Sequence, residues 1–309
     1  MLKIMWTPLA MTLLCAIAHA QAPATSTSKT ALDAKPAATT SASQDASGAT
    51  PIAATSVTEV KKDEPPSLKY SLDLSFGYTL QAEKQADGTQ AESSSFAFTP
   101  GMSYGVYKAS VFEQYNQNLK DTTKTGYWYD PAFSFSRTSF PLNDYFKFGP
   151  AISLTLPMTD GAKNTKELLY TIGGSTSFYL QTKNLGLDAW DIGYYIGYIR
   201  NFTKYSTDSA GEILTMQRIR QRINVTYKFT DSLSLKTRFQ FDSNYSTEGV
   251  VRNEFLTYQT LSYAINDTVS VSAGHTNSGS ALDGTTYENN IKFYDQKKSE
   301  YSASLDISI

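Results

Sequence analysis

The last nine residues, Tyr301-Ser302-Ala303-Ser304-Leu305-Asp306-Ile307-Ser308-Ile309, alternate apolar and polar positions without a break. Side chains on a strand point to opposite faces in turn, so this segment has one greasy face and one wet face. The same period of two recurs through residues 68 to 309. Leu68, Tyr70, Leu72, Leu74, Phe76, Tyr78 and Leu80 share one parity, and Lys69, Ser71, Asp73, Ser75, Gly77 and Thr79 share the other. The length, eleven to thirteen residues, suits a tilted strand crossing a bilayer. Soluble sandwiches have shorter strands with polar outward faces. The pattern predicts an all-β fold, a single closed antiparallel barrel whose outside meets lipid and whose inside meets water.

Counting runs gives about twelve strands. The first covers Leu68 to Leu80, and the second carries Phe96, Phe98, Pro100, Met102 and Tyr104 outward. The third, Tyr107 to Asn118, is the poorest: Phe112 and Glu113 disagree about the outer face, which places a bulge there. The fourth shows Tyr127, Tyr129, Pro131, Phe133 and Phe135 on one face. The remaining eight run near 146–156, 168–180, 190–198, 219–229, 233–245, 255–263, 269–273 and 301–309. Pro100, Pro131 and Pro150 must lie near a rim or at a bulge, because a closed barrel has no edge to hold them. Tight turns at Leu142-Asn143-Asp144, Thr230-Asp231-Ser232 and Ile265-Asn266-Asp267 contrast with longer polar connections at 157–166, 201–212 and 277–296. Residues favoured in turns dominate the first group. Loop 277–296 carries Tyr287, Ile291 and Phe293, an apolar set suited to folding into the barrel mouth.

The first 66 residues are of another kind. Residues 1–20 read as a signal peptide, with Lys3, an apolar run from Leu9 to Ala18 and the small-x-small site Ala18-His19-Ala20. Cys15, the sole cysteine, lies inside it, so cleavage after Ala20 removes disulfides and thiolate sites from consideration. Residues 21–66, rich in Ala, Thr, Ser and Pro and ending on Pro65-Pro66, read as a low-complexity disordered tether. Residues 67–309 form the barrel.

Together the leader, the turn and loop asymmetry and the terminal Leu305, Ile307 and Ile309 resemble a Gram-negative outer-membrane β-barrel protein of the twelve-stranded, porin-like size class. An aromatic usually closes the terminal signal, and Ile309 departs from that. The resemblance implies an outer-membrane location with the tether in the periplasm. It also implies insertion by the barrel-assembly machinery and contact with outer-membrane lipid.

Parity selects the lumenal residues. Arg218, Arg220 and Arg222 share one face and cannot meet lipid, where each would cost about 2–4 kcal/mol near the midplane. Counterparts across the following hairpin add to 462 in residue number, which sets Asp242 opposite Arg220 and brings Arg238 and Lys236 to the same face. Such a basic track favours anions, because a guanidinium grips carboxylate or phosphate in a fork. Twelve-stranded channels for acidic oligosaccharides are similar in carrying arginine tracks. The opposing reading is a plug in which Asp242 and Glu254 neutralise the arginines. Asp73, Asp130, Asp191 and Asp306 also face inward by parity. Gly77, Gly173, Gly193 and Gly197 leave room in the lumen, and Trp128, Tyr195 and Tyr258 take some back.

These observations predict a pore for passive passage of small polar solutes, with anions favoured. It needs no cofactor, metal or catalytic residue. Net charge is −2, so there is no basic field for nucleic acid. Two alternatives stay open. One is a non-conducting structural or surface-recognition barrel acting through its loops. The other is a lipid-active hydrolase around His275, although outer-membrane lipases place Ser two residues from His and here that residue is Asn277.

Overall fold

The computed structural model describes residues 67–84, 90–120, 126–282 and 288–309. The leader, the tether, the Asp87-Gly88 tip and Tyr287 lie outside the described residues. Fourteen strand segments follow in chain order: β1 Leu68–Lys84, β2 Gln90–Tyr104, β3 Tyr107–Asn118, β4 Tyr127–Trp128, β5 Ala132–Arg137, β6 Phe140–Pro141 and β7 Phe146–Thr155. Then come β8 Leu168–Leu180, β9 Trp190–Thr203, β10 Thr215–Lys228, β11 Leu233–Ser246, β12 Val251–Ala264, β13 Val269–Ser280 and β14 Glu300–Ser308. Each long strand pairs antiparallel with its chain neighbours, β14 pairs with β1, and β2 pairs with β3, so the sheet closes. β4 and β5 are halves of one broken strand, and β6 extends the hairpin into β7. The result is a twelve-stranded barrel, sealed where Leu72 and Ile309 exchange two 2.9 Å backbone bonds.

The burial pattern is inverted relative to a water-soluble protein. Leu68, Tyr70, Met102, Ile152, Ile172, Ile223 and Leu261 are exposed on the outer wall, while Arg218, Arg220, Arg222, Arg238, Asp242 and Asn244 are buried. A soluble chain does not leave so large an apolar surface in water. The period-two alternation therefore does here what it does in membrane barrels: it sends the apolar set outward and the polar set inward.

Turn chemistry fixes one end. Tyr104 and Tyr107 pair across the two residues Gly105-Val106, with Gly105 at φ 56°. Asn143 Oδ1 accepts from the N–H groups of Tyr145 and Phe146, Thr230 Oγ1 from Ser232 and Leu233, and Asn266 Oδ1 from Thr268 and Val269. One side-chain oxygen thus holds each of these turns closed. This turn end carries one nine-residue connection, 181–189, with a single turn of 3-10 helix at Thr182–Leu185. The opposite end has most of the longer connections, but β1–β2 (residues 85–89) and β11–β12 (residues 247–250) are short there. Register shifts in the β1–β2, β8–β9 and β10–β11 pairs all fall at this loop end, as bulges at barrel rims do.

The expected bulge in the third strand is absent. β2 and β3 keep one register from Ser93↔Asn118 to Tyr104↔Tyr107, so Glu113 shares the outer face with Phe98. The break lies in the fourth strand instead. Tyr115 pairs with Trp128 but Phe112 pairs with Ala132, a one-residue slip across Tyr129-Asp130-Pro131. A slip of one moves side chains to the other face. Tyr127 and Tyr129 consequently sit on the lumenal face, where Asn116 Nδ2 donates to Tyr129 Oη at 3.0 Å. Trp128 faces outward, not inward, with its ring 5.3 Å from Tyr115 and 6.3 Å from Phe98. Pro131 occupies the slip, and Pro150 lies opposite the gap between β5 and β6, so neither removes a ladder bond.

Candidate functional site

The β10–β11 hairpin turns at residues 229–232, and its register is unbroken from Gln217↔Tyr245 to Lys228↔Ser234. It sets five polar pairs on the lumenal face: Arg218↔Asn244, Arg220↔Asp242, Arg222↔Gln240, Asn224↔Arg238 and Thr226↔Lys236. The first four are hydrogen-bonded rungs. Arg218 Nε donates to Asn244 Oδ1 at 2.6 Å, and Arg222 Nε to Gln240 Oε1 at 2.6 Å. Arg238 Nε donates to Asn224 Oδ1 at 2.8 Å. Arg220 clasps Asp242 in a fork, Nε to Oδ1 at 2.9 Å and Nη2 to Oδ2 at 2.7 Å. Gln240 Nε2 adds a third donor to Asp242 Oδ2 at 3.0 Å, and Arg218 Nε lies 4.0 Å from that oxygen.

Neighbouring strands complete the cluster. Tyr195 of β9 stands beside Arg222, whose guanidinium carbon is 5.0 Å from the ring centre. Tyr258 of β12 does the same for Arg238 at 5.9 Å. These rings are partners of the cations, so they do more than fill the lumen. Gly197 lies opposite Arg220, where a side chain would collide with the Tyr195 ring. Glu254 pairs with Asp242 from the β12 side.

The charge balance is uneven. Five cations of the hairpin, Arg218, Arg220, Arg222, Arg238 and Lys236, lie near two carboxylates, Asp242 and Glu254, while Lys228 with Asp191 and Arg252 share the same face nearer its two ends. Asp242 serves Arg220 and, more distantly, Arg218. Among the described residues, Arg222, Arg238 and Lys236 have no carboxylate within ion-pair distance. Asp242 therefore neutralises the Arg220 rung, with Glu254 beside it on β12.

The other acidic residues lie elsewhere. Asp306 of β14 accepts from Ser75 Oγ at 2.5 Å and from Ser304 Oγ at 2.9 Å, on the β14–β1 wall. Asp73 is on the same face of β1, opposite Ser308 and Thr99. Asp130 is a loop anchor rather than a lumenal charge at large: its Oδ1 accepts from the N–H groups of Met158 and Thr159 at 2.7 and 2.8 Å. Asp191 pairs with Lys228 at 2.8 Å near the turn end. Asn224, Gln240 and Asn244 were not singled out in the sequence, yet the 462 rule that pairs Arg220 with Asp242 also places each of them on a rung.

His275 faces outward from β13, opposite Gln259 and Tyr301. Its Nδ1 lies 2.9 Å from Gln259 Oε1, and its ring packs on Tyr294 and Tyr301. Nε2 is buried and has no hydrogen-bond partner among the described residues. The Thr257 hydroxyl donates to the Asn277 carbonyl, and Ser278 has the lumenal parity. Among the described residues no hydroxyl or thiol is hydrogen-bonded to His275.

A closed twelve-stranded barrel, inverted in burial and lined by charge, defines the fold of an outer-membrane β-barrel. Comparison with solved structures agrees. An outer membrane channel from Pseudomonas putida F1 is similar over 81% of this chain and 100% of that one, with TM-score 0.51 and 9% identity. The NanC porin is similar over 76% and 98%, with TM-score 0.47 and 13% identity. The KdgM porin is similar over 77% and 99%, with TM-score 0.42 and 8% identity. No protein-family model and no curated protein matches the chain in sequence.

Proposed function

We propose that this protein is a non-enzymatic outer-membrane channel through which small polar solutes pass passively, and that its lumen favours anions. The reading is supported by one observation above the rest: Arg222, Arg238 and Lys236 line the inner face with no carboxylate within ion-pair distance among the described residues. Arg222 and Arg238 hold their Nε groups on Gln240 and Asn224, neutral amides that leave the positive charge intact. A basic ring of this kind lowers the barrier for an anion and raises it for a cation. The similarity to the Pseudomonas putida channel adds the fold and nothing about the solute.

In this reading residues 1–20 direct export, 21–66 form the periplasmic tether, the barrel-assembly machinery inserts the barrel and outer-membrane lipid surrounds it. Planar-bilayer recording under a salt gradient tests the function. The wild-type channel gives a reversal potential of anion sign, and Arg222→Gln with Arg238→Gln moves it toward zero while conductance persists. A silent bilayer, or a cation-selective wild type, overturns the proposal.

A further inference from the structure

The described part of the connection from β13 to β14 runs along the barrel wall and not into the mouth. This part, residues 288–299, lies as a strap on the outer wall. Asn290 N–H donates to Ala281 O at one end, and Ser299 O accepts from Ala82 N–H at the other. Between them Asn277, which faces outward on β13, donates through Nδ2 to Lys292 O at 2.6 Å, and Tyr294 stacks on His275. The strap covers Asn277, Thr257 and Phe255, outward residues that are buried. Its inner side thus meets the polar patch on β12 and β13. Its outer side leaves Phe293 69% and Tyr294 54% exposed.

Beside the strap, Glu83, Lys84, Lys292, Asp295, Gln296 and Lys297 line a cavity of about 510 Å³. Lys298, the next residue in the chain, lies on the outer face over Gly279. Lys84, Lys297 and Lys298 form no ion pair among the described residues, and Lys292 reaches Asp295 only at 3.7 Å. Asp295 is already engaged, since its Oδ1 accepts from Lys297 N–H at 2.9 Å. Two other lysines near the loop end are satisfied: Lys120 meets Glu92 at 2.8 Å and Lys204 meets Glu167 at 3.3 Å. Three ammonium groups lining a hollow that also carries Glu83 and Asp295, with Lys298 following Lys297 in the chain and two exposed aromatic rings on the apolar side of the wall, match the two halves of one ligand. Cations attract phosphate at a membrane surface, and aromatic rings settle at the boundary between headgroup and hydrocarbon.

We propose that this rim binds the phosphorylated headgroup of a lipid in the leaflet at the loop end, with Lys84, Lys292, Lys297 and Lys298 on the phosphate and Phe293 and Tyr294 against the acyl chains. The proposal rests on the barrel spanning a membrane, not on its conducting. Full-length protein is reconstituted in phosphatidylcholine nanodiscs with or without added phosphatidic acid, and bound lipid is counted by native mass spectrometry. Wild-type protein retains phosphatidic acid at least tenfold more tightly than phosphatidylcholine. Replacing the four lysines by Gln removes that preference, and Phe293→Ser weakens retention of both lipids. Glu83→Gln, an exposed change that spares the fold, tightens phosphatidic acid binding if the quadruple variant does not assemble. Equal retention of both lipids by wild type overturns the proposal. Displacement by millimolar inorganic phosphate overturns the lipid as source and makes the rim a free-anion site. A chain that stays dissolved without detergent removes the membrane reading itself, and a silent channel that still selects phosphatidic acid leaves this site standing.

Discussion

Two walls of the same cylinder solve the problem of a wet interior differently. On β10 and β11 the inward residues are long and charged, and each reaches a partner directly across the hairpin: Arg218 to Asn244, Arg220 to Asp242, Arg222 to Gln240. On β13, β14, β1 and β2 they are short. Ser270, Ser272, Gly274, Ser302, Ser304, Ser75, Gly77, Ser93 and Ser95 share the lumenal face there. Asp306 is held by the Ser75 hydroxyl across the β1–β14 pair and by the Ser304 hydroxyl two residues back, Ser304 also bonds Ser272 at 2.7 Å, and Glu300 on the same face takes a side-chain hydrogen bond from Gln81. The contrast teaches how a barrel of this size divides its lumen. Filling by side chains closes eight-stranded barrels, and sixteen-stranded ones stay open. Here one wall supplies length, charge and rigidity while the other supplies space.

The largest expected effects come from the long-side-chain wall. Asp242→Ala leaves Arg220 buried without its fork partner, and removal of one member of a buried pair costs about 3 kcal/mol or more. Urea unfolding of the folded barrel in micelles reads this directly. Combining it with Arg220→Met recovers most of the loss, and a double variant as unstable as Asp242→Ala would show that the pair is not the unit. Arg222→Met comes next, at about 2 kcal/mol. It removes a charged hydrogen bond to Gln240 and the contact with the Tyr195 ring. The serine wall responds more weakly: Ser304→Ala takes one donor from Asp306 and leaves Ser75, so about 1 kcal/mol is expected in the same assay. Conductance reverses the order. Ser272→Trp fills space that the short residues leave and cuts single-channel conductance by more than half, whereas Arg222→Met changes selectivity more than conductance. Equal losses from both would dissolve the distinction between the walls.

How much of this was legible in the sequence follows from what parity can and cannot see. Alternation gives the inner and outer sets wherever the register is unbroken. A tight, well-signalled turn then gives the pairing, which is why Arg220 and Asp242 could be matched from Thr230-Asp231-Ser232 alone. The β12, β13 and β14 faces were legible for the same reason. A one-residue slip leaves no mark in composition. Trp128 between Tyr127 and Tyr129 reads the same on either face, and only pairing with Tyr115 decides it. Glu113 looked like the flaw because it and Phe112 both lay claim to the outer face, yet β3 is regular there. Asp130 was misplaced for the same reason as Trp128, since its parity changes inside the slip. The strap was illegible in another way. Ile291 and Phe293 carry apolar surface, but what they cover depends on Asn290, Lys292 and Ser299 backbone bonds to β13 and β1, and amphipathic pattern does not encode those.

The smallest effect expected marks where charge ceases to matter. Lys204 and Glu167 meet at 3.3 Å just past the strand ends, and the Lys204 side chain is 59% exposed. The hydrogen bond to Glu167, with a second to Tyr205, holds the Lys204 ammonium above its ordinary value of 10.5. A raised folded-state value means that any stabilisation is complete below the unfolded lysine's range and is lost only as pH rises through the folded one. Stability between pH 6 and 9 should therefore be flat in this pair. Solvent and salt screen it, and a surface ion pair of this exposure contributes little that can be measured. Lys204→Gln is expected to leave the urea midpoint unchanged within error at low and at high salt. The buried Arg220 and Asp242 differ from it in environment, not in charge. If Lys204→Gln shifted the midpoint as far as Arg222→Met, the ranking of the two walls by burial would be wrong, and the stability of this barrel would depend on its rim instead.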